Sequence, residues 1–306
     1  MRDTFIKILT ELAEENPKIF LIAGDLGFGV LTDFAKTYPD QFLNVGVAEQ
    51  NMTGIATGLA LEGRIVFTYS IANFPTLRCL EQIRNDACYH EANVKIVAIG
   101  GGFAYGALGM SHHATEDLAI MRSMPITVCS PGDLWETEQA TSLLANTPGT
   151  CYLRLDKSHA GYTNKPDEHF ILGRARRLIE GNDVTLIATG GILKVVLQSA
   201  ESLLEMGIKC RVVSVHTINP LDNKEILAAA VETGGILTIE EHTIKGGLGG
   251  AVAEICLEQG VIPKFFYRLG LREGFASIVG SQNYLRQCYG LDKTSIVEMV
   301  KSLIKR

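Results

Sequence analysis

Between Ile19 and Leu155 the sequence alternates short apolar runs with longer amphipathic stretches, and this alternation constrains the fold more than any other feature. The runs Ile19–Ala23, Phe42–Val45, Ile65–Tyr69, Val94–Ile99, Thr127–Ser130 and Cys151–Leu155 read as strands. Strands that are apolar on both faces need cover on both sides, which points to a parallel sheet between helix layers. Helical spacing is predicted over Asn51–Leu61, Leu77–Tyr89 and Leu134–Ala145, with a further helix starting at Thr115 as its N-cap. Residues 156–183 break the rhythm with polar residues, scattered charges and Pro166, and read as a linker. It resumes with strands Val184–Thr189, Cys210–Val215, Ile236–Ile239 and Phe265–Leu269, and helices Ile192–Met206, Asn223–Glu232, Gly249–Glu258 and Thr294–Lys305. The expected fold class is α/β in two domains, residues 1–155 and a smaller unit over 184–306.

Composition narrows the function. Apolar residues make up 46% of the 306 and charged ones 20%, enough to bury large cores. A net charge of −6 argues against a basic stripe for nucleic acid. The seven cysteines form no C-x-x-C pair, so neither a zinc site nor a disulfide framework is signalled, and reduced thiols fit a cytoplasmic protein. The opening MRDTFIKILTELAEENPK reads as an acidic amphipathic helix, unlike a signal peptide. The uncharged stretch 96–115 is broken by glycines and ends in histidines, so it reads as a strand entering a Gly-rich loop, not a membrane span.

Several residues could carry chemistry. Glu49, Met52, Ala56 and Leu59 share one stripe of a helix, so the carboxylate faces apolar neighbours and needs a partner or a proton. The alternative is a helix-start carboxylate bonded to its own amides. Arg78 stands three residues from Glu81 and eight from Asp86, either of which could pair with it. His112, His113, Glu116 and Asp117 are close enough in sequence to suggest a metal site, but adjacent histidines point apart. Arg154 lies at the end of a predicted strand and is a candidate for an anion or for a salt bridge to Asp156. Gly246-Gly247-Leu248-Gly249-Gly250 before a helix invites a phosphate-binding reading, although close helix–strand packing explains it as well.

The run VGVAEQNMTGIATGLALEG resembles the pyrimidine-binding domain of thiamine diphosphate enzymes of the transketolase group. TYSIANFPTLRCLEQIRND, GALGMSHHATEDLAIMRSMP and YLRLDKS agree in the same order, and VVSVHTINPLD and IEEHTIKGGLGGAVAE are similar to that group's last domain. The whole chain therefore resembles the C-terminal half of transketolase, the small subunit of a split enzyme that transfers a two-carbon ketol unit. The β subunit of a 2-oxoacid dehydrogenase decarboxylase and a deoxyxylulose-phosphate synthase half share these features, and a non-catalytic α/β binding module is the reading outside enzymes.

The resemblance implies that Glu49 contacts the aminopyrimidine ring of thiamine diphosphate, that Ile71 and Phe74 wall that ring, and that Arg78 lies near it. It implies that His112 lines the substrate channel and that Arg154 binds a sugar phosphate. Gly24-Asp25-Leu26-Gly27 departs from the family's Gly-Asp-Gly start, so the diphosphate and its Mg2+ or Ca2+ are expected on a partner chain, in an α2β2 assembly. The small subunit alone is expected to be able to form a homodimer. Ordinary transketolases carry Gly-Glu-Asp-Gly before the channel histidine, where this chain has Gly106-Ala107-Leu108-Gly109. A family histidine and a serine of the phosphate region are matched by Gly100 and Gly29. An atypical sugar (deoxy, branched or sulfonated) is the expectation.

Overall fold

The computed structural model describes residues 1–305. Its strands are β1 (Ile19–Ala23), β2 (Phe42–Asn44), β3 (Ile65–Ile71), β4 (Val94–Ile99), β5 (Thr127–Cys129) and β6 (Cys151–Leu155), then β7 (Arg176–Ile179), β8 (Val184–Thr189), β9 (Cys210–Ser214), β10 (Thr217–Asn219), β11 (Ile236–Thr243) and β12 (Phe266–Leu271). The first sheet runs β10-β5-β6-β4-β3-β1-β2 and the second β12-β11-β8-β9-β7. Neighbours are parallel except β10 against β5 and β7 against β9. Chain order reverses between β1 and β3, and the carboxyl ends of such strands form the crevice where α/β folds bind ligands.

The cores follow from this layering. Every residue of β4, β6, β8 and β9 is buried, as strands covered on both faces require. One apolar cluster runs from Ile22 and Ile96 through Met121 and Val128 to Val213 and Ile226, so the two sheets share a packed boundary. Among the described residues no helix is long and apolar enough to cross a membrane.

Two strands lie where the sequence pattern shows none. β7 falls inside the polar stretch 156–183, and its Arg176 reaches back to the first domain, donating to Glu136 at 2.7 Å and Asp133 at 3.0 Å, and also to Glu168 of the same stretch at 2.7 Å. β10 leaves the second domain and adds an antiparallel edge to the first sheet, pairing Thr217 with Cys129. Both are short, and their alternation is hidden by arginines in one and by a three-residue length in the other. The helix expected from Thr115 is shorter, Asp117–Met121, and Thr115 does not cap it, because its hydroxyl donates to the Glu116 carboxylate. The Leu77–Tyr89 helix opens with a 3₁₀ turn and passes into a π-helical stretch over Ile83–Cys88, with Tyr89 N–H bonded to the Arg84 carbonyl.

His216, between β9 and β10, stacks on Phe170 of the linker with ring centroids 4.0 Å apart. Burial holds its pKa down to about 3, with the Arg176 charge adding to the effect. The unfolded imidazole takes a proton below about pH 6.5 and the folded one refuses it, so stability falls as pH drops from there toward 3. This one proton contributes about 1.4 kcal/mol per pH unit in that window. His216→Gln should flatten the acid limb of stability by that slope between pH 6 and 4, measured by urea midpoints. Parallel limbs for the two proteins would remove His216 as the cause.

Candidate functional site

Four segments at the carboxyl edge of the first sheet build one wall. After β2, Gly46 at φ 75° turns the chain and a helix begins at Glu49, running to Leu61. Met52 and Ala56 of this helix are buried, which draws Glu49 into the interior with 2% of its surface exposed. The carboxylate does not bond its own helix amides. Its Oε2 instead accepts from Arg78 Nη1 at 2.8 Å, and Oε1 accepts no hydrogen bond among the described residues. Neither Glu81 nor Asp86 is the partner of Arg78. The pair spans 29 positions and forms because the segment after β3 folds over the helix start.

Arg78 also lies 4.8 Å over the Phe74 ring, a cation–π contact that holds the guanidinium against the wall. Ile71 ends β3, and Phe74 N–H bonds the Ile71 carbonyl, so the two side chains flank one tight turn. Phe74 meets the His112 ring edge-on with centroids 5.2 Å apart. Asn73 secures this contact by donating to the carbonyls of Ser111 and His113. Glu49, Arg78, Ile71, Phe74 and His112 are therefore brought together.

The two histidines diverge. His113 is buried with Nε2 3.2 Å from the Gly106 carbonyl and its ring against Phe103. His112 faces the wall, with Nδ1 3.0 Å from Ser111 Oγ and no partner at Nε2 among the described residues. Burial, aided by the neighbouring His113, lowers the His112 pKa, which favours a neutral ring at pH 7. Asp117 accepts from the Tyr152 hydroxyl at 2.6 Å and Glu116 from Thr115, so the four residues of the candidate metal cluster do not converge.

Arg154 is not brought to the wall. It is 4% exposed, its Nη2 donates to the Ala114 and Glu241 carbonyls at 2.9 Å, and its Nε lies 3.3 Å from Asp117. It pairs with Asp117, not with its sequence neighbour Asp156. The reason is register: Arg154 sits opposite Ala98 within the sheet, under the loop that carries the histidines. The exposed cation that sequence reasoning missed is Lys157, whose Nζ lies 3.9 Å over the Tyr105 ring, itself 6.4 Å from His112. The glycine-rich loop at 246–250 has its own anion: Glu240 accepts from Leu248 N–H and Gly249 N–H, both at 2.8 Å. That carboxylate takes the place a phosphate would need. His242 is buried beside it, with Nδ1 2.7 Å from the Thr243 carbonyl.

With this geometry in place, the transketolase pyrimidine-binding domain pattern matches residues 1–162 and the transketolase C-terminal domain pattern residues 173–300. The chain belongs to the transketolase family. It is 37% identical to one of the subunits of the apulose-4-phosphate transketolase of Phocaeicola vulgatus, over 100% of this chain and 97% of that one. It is 35% identical to a 6-deoxy-6-sulfo-D-fructose transketolase subunit of a Clostridium species, over 100% and 95% respectively. Among solved structures it is similar to a split-gene transketolase described as an inactive beta4 tetramer, with TM-score 0.88 and 38% identity over 99% of this chain and 97% of that one.

The pairing of Arg78 with a buried acid is open to measurement. Losing one partner of a fully buried pair costs about 3–5 kcal/mol, but Arg78 is 47% exposed and water replaces part of the contact. Arg78→Met should cost about 1–2 kcal/mol, and adding Glu49→Gln should recover part of it, because the uncompensated charge is gone. Urea unfolding of the single and double variants measures this; strictly additive losses would show that the pair is not coupled.

Proposed function

We propose that this chain is the small subunit of a split, thiamine diphosphate-dependent transketolase that moves a two-carbon ketol unit between sugars. The observation that carries the reading is Glu49: a buried carboxylate with one oxygen held by Arg78 and the other free, at the mouth of an apolar and aromatic wall. These residues fit a thiamine pyrimidine. Oε1 is placed to share a proton with a ring nitrogen, Phe74 and Ile71 cover the ring, and Arg78 keeps the carboxylate from turning away. The cofactor, when bound, supplies the electron sink that stabilises the transferred two-carbon unit. Neutral His112 can donate or accept at Nε2 toward sugar hydroxyls, since Ser111 already engages Nδ1.

The other half of the cofactor site belongs, in this reading, to a larger partner subunit that holds the diphosphate and a Mg2+ or Ca2+ ion. Asp25, the acid in the loop after β1, is tied to Asn44, which donates to its carboxylate at 3.1 Å and accepts its N–H at 3.0 Å. An acid so engaged suits a loop brace better than a metal ligand. The assembly is an α2β2 heterotetramer, and the self-association named in the split-gene relative's description supports homo-oligomers of the free small subunit.

The substrate is an atypical sugar. Leu108 stands 56% exposed beside the His112 loop, where an acid would accept a sugar hydroxyl, and Gly29 contributes no side chain. A hydroxyl left without its acceptor costs about 1–3 kcal/mol. Relatives named for apulose-4-phosphate and for 6-deoxy-6-sulfo-D-fructose support this choice. Arg154 stays a structural brace under the loop, and Lys157 is the cation that serves the substrate's far end.

A donor–acceptor screen of the complex with its partner tests the proposal. Ketol transfer should be found with a deoxy, branched or sulfonated sugar, while xylulose 5-phosphate with ribose 5-phosphate should be poor; efficient turnover of that ordinary pair would refute the substrate assignment. Glu49→Gln should lower turnover by about 10²-fold or more and slow proton exchange at the thiazolium C2 in parallel. Undiminished exchange with cofactor fully bound would take the role from Glu49.

A further inference from the structure

The loop of residues 100–115 is fixed at its base and hangs on one side chain at its tip. At the base, Gly102 and Ala114 exchange backbone hydrogen bonds at 2.9 and 3.0 Å. The Tyr105 ring fills the space over Gly100, where the backbone turns at φ 92° and a Cβ would lie 2.2 Å from Tyr105 Cε2. At the tip, the hydrogen bonds of residues 108–113 close on the loop itself, with partners at Tyr105, Gly106, Gly109 and Met110 and between Ser111 and His112. Among the described residues the exception is Asn73, whose Nδ2 donates to the Ser111 carbonyl at 3.3 Å and to the His113 carbonyl. One carboxamide thus holds the backbone on both sides of His112.

Asn73 is itself anchored to the sheet. It stands in the turn after β3, where Ala72 N–H bonds the Ile99 carbonyl at the end of β4 at 2.9 Å and Leu77 N–H bonds the Asn73 carbonyl at 3.1 Å. Two carbonyl acceptors decide which end of the amide faces the loop, because only its NH2 group donates. Its Oδ1 is buried and has no donor among the described residues, so the fold keeps a polar atom that gains it nothing. The same turn presents Phe74, against which the His112 ring lies edge-on with centroids 5.2 Å apart. Amide and ring together set the place of the imidazole.

We infer that Asn73 is a positioning residue for ketol transfer: by tying the backbone on both sides of His112 to the turn after β3, it holds the imidazole against the aromatic wall where the sugar passes. Without that tie the tip, whose Leu108 and Met110 side chains are exposed, has no hydrogen bond to anything outside the loop, and the imidazole leaves its place beside Phe74. Misplacing a reacting group by about 1 Å costs about 10²-fold in rate, so an amide that never meets the sugar can weigh as much as a group that does. The inference rests on the transketolase reading and deepens it, because it names what orients that site's histidine.

The test is a double-mutant cycle in the complete complex with its partner subunit. Asn73→Leu keeps the side chain's size and removes both the donor and the unpartnered oxygen; Asn73→Ser, too short to reach both carbonyls, takes its place if that variant does not fold. Asn73→Leu should lower kcat/KM about tenfold in the wild-type background and less than about twofold in the His112→Ala background, since its effect passes through the imidazole. In the free small subunit the His112 ring proton signal, assigned by its loss in His112→Ala, should move in Asn73→Leu as the ring leaves the Phe74 edge. Equal losses in both backgrounds, or an unmoved His112 signal, would overturn the positioning role. So would a loss accounted for by weaker thiamine diphosphate binding in calorimetry, because the effect would then run through Phe74 and the cofactor. A wild-type rate that His112→Ala leaves untouched would overturn this inference alone. Failure of the wild-type complex to transfer a ketol unit between any pair of sugars would instead overturn the transketolase reading, and this inference with it.

Discussion

The Glu241 carboxylate, buried where the two domains meet, fixes the position of everything on the wall. It belongs to β11 of the second sheet, yet it accepts from Phe103 N–H of the first domain, from Gln282 at 2.8 Å and from Arg286. Burial pushes its pKa up and the Arg286 guanidinium opposes that shift, so the buried carboxylate is held by the donors that surround it. Arg154 adds a second clamp by bridging the Ala114 and Glu241 carbonyls. The loop from Gly100 to Thr115 is thereby held at both ends by the second domain, and the loop carries Tyr105, Leu108 and His112. The C-terminal domain shapes a site to which it adds none of the wall's side chains.

What the sequence reveals and conceals follows from the same physics. β1, β4, β6 and β8 are legible to the residue because strands buried on both faces are mostly apolar along their length. β7 is not, since its arginines pair with acids, Arg176 with Asp133 of the first domain and Arg177 with Glu225 of the second, and mask any apolar alternation. Lys95 shows the opposite disguise: a lysine at the second position of β4, wholly buried, with its ammonium donating to the Thr147 and Gly149 carbonyls at 2.6 and 2.7 Å. Burial lowers its pKa, and the two carbonyls supply the acceptors that make a charge there tolerable.

The site divides in the same manner. Glu49 is legible because helical spacing places it among Met52 and Ala56, and the neighbouring motif gives it a role. Arg78 as its partner is not, because the pairing depends on how the turn after β3 crosses the helix. Arg154 misleads because an arginine at a strand end suggests an exposed anion site until the register shows what lies above it. Tyr105 is hidden in a Gly-rich stretch whose meaning depends on one backbone angle, although the run Gly100-Gly101-Gly102 is a signal that something approaches closely there.

Around the wall large apolar side chains remain in water, with Phe28 80% and Val47 73% exposed beside a carboxylate that is almost fully buried. Such a rim, unlike scattered surface apolar residues, is the expected face of an incomplete site. The account therefore centres on a cofactor pocket of which this chain supplies one half. The most direct measurement is calorimetric titration of thiamine diphosphate with Mg2+ into this chain alone, into the partner alone and into their mixture. The account predicts tight, metal-dependent binding in the mixture only. Tight, metal-dependent binding by this chain alone would contradict it.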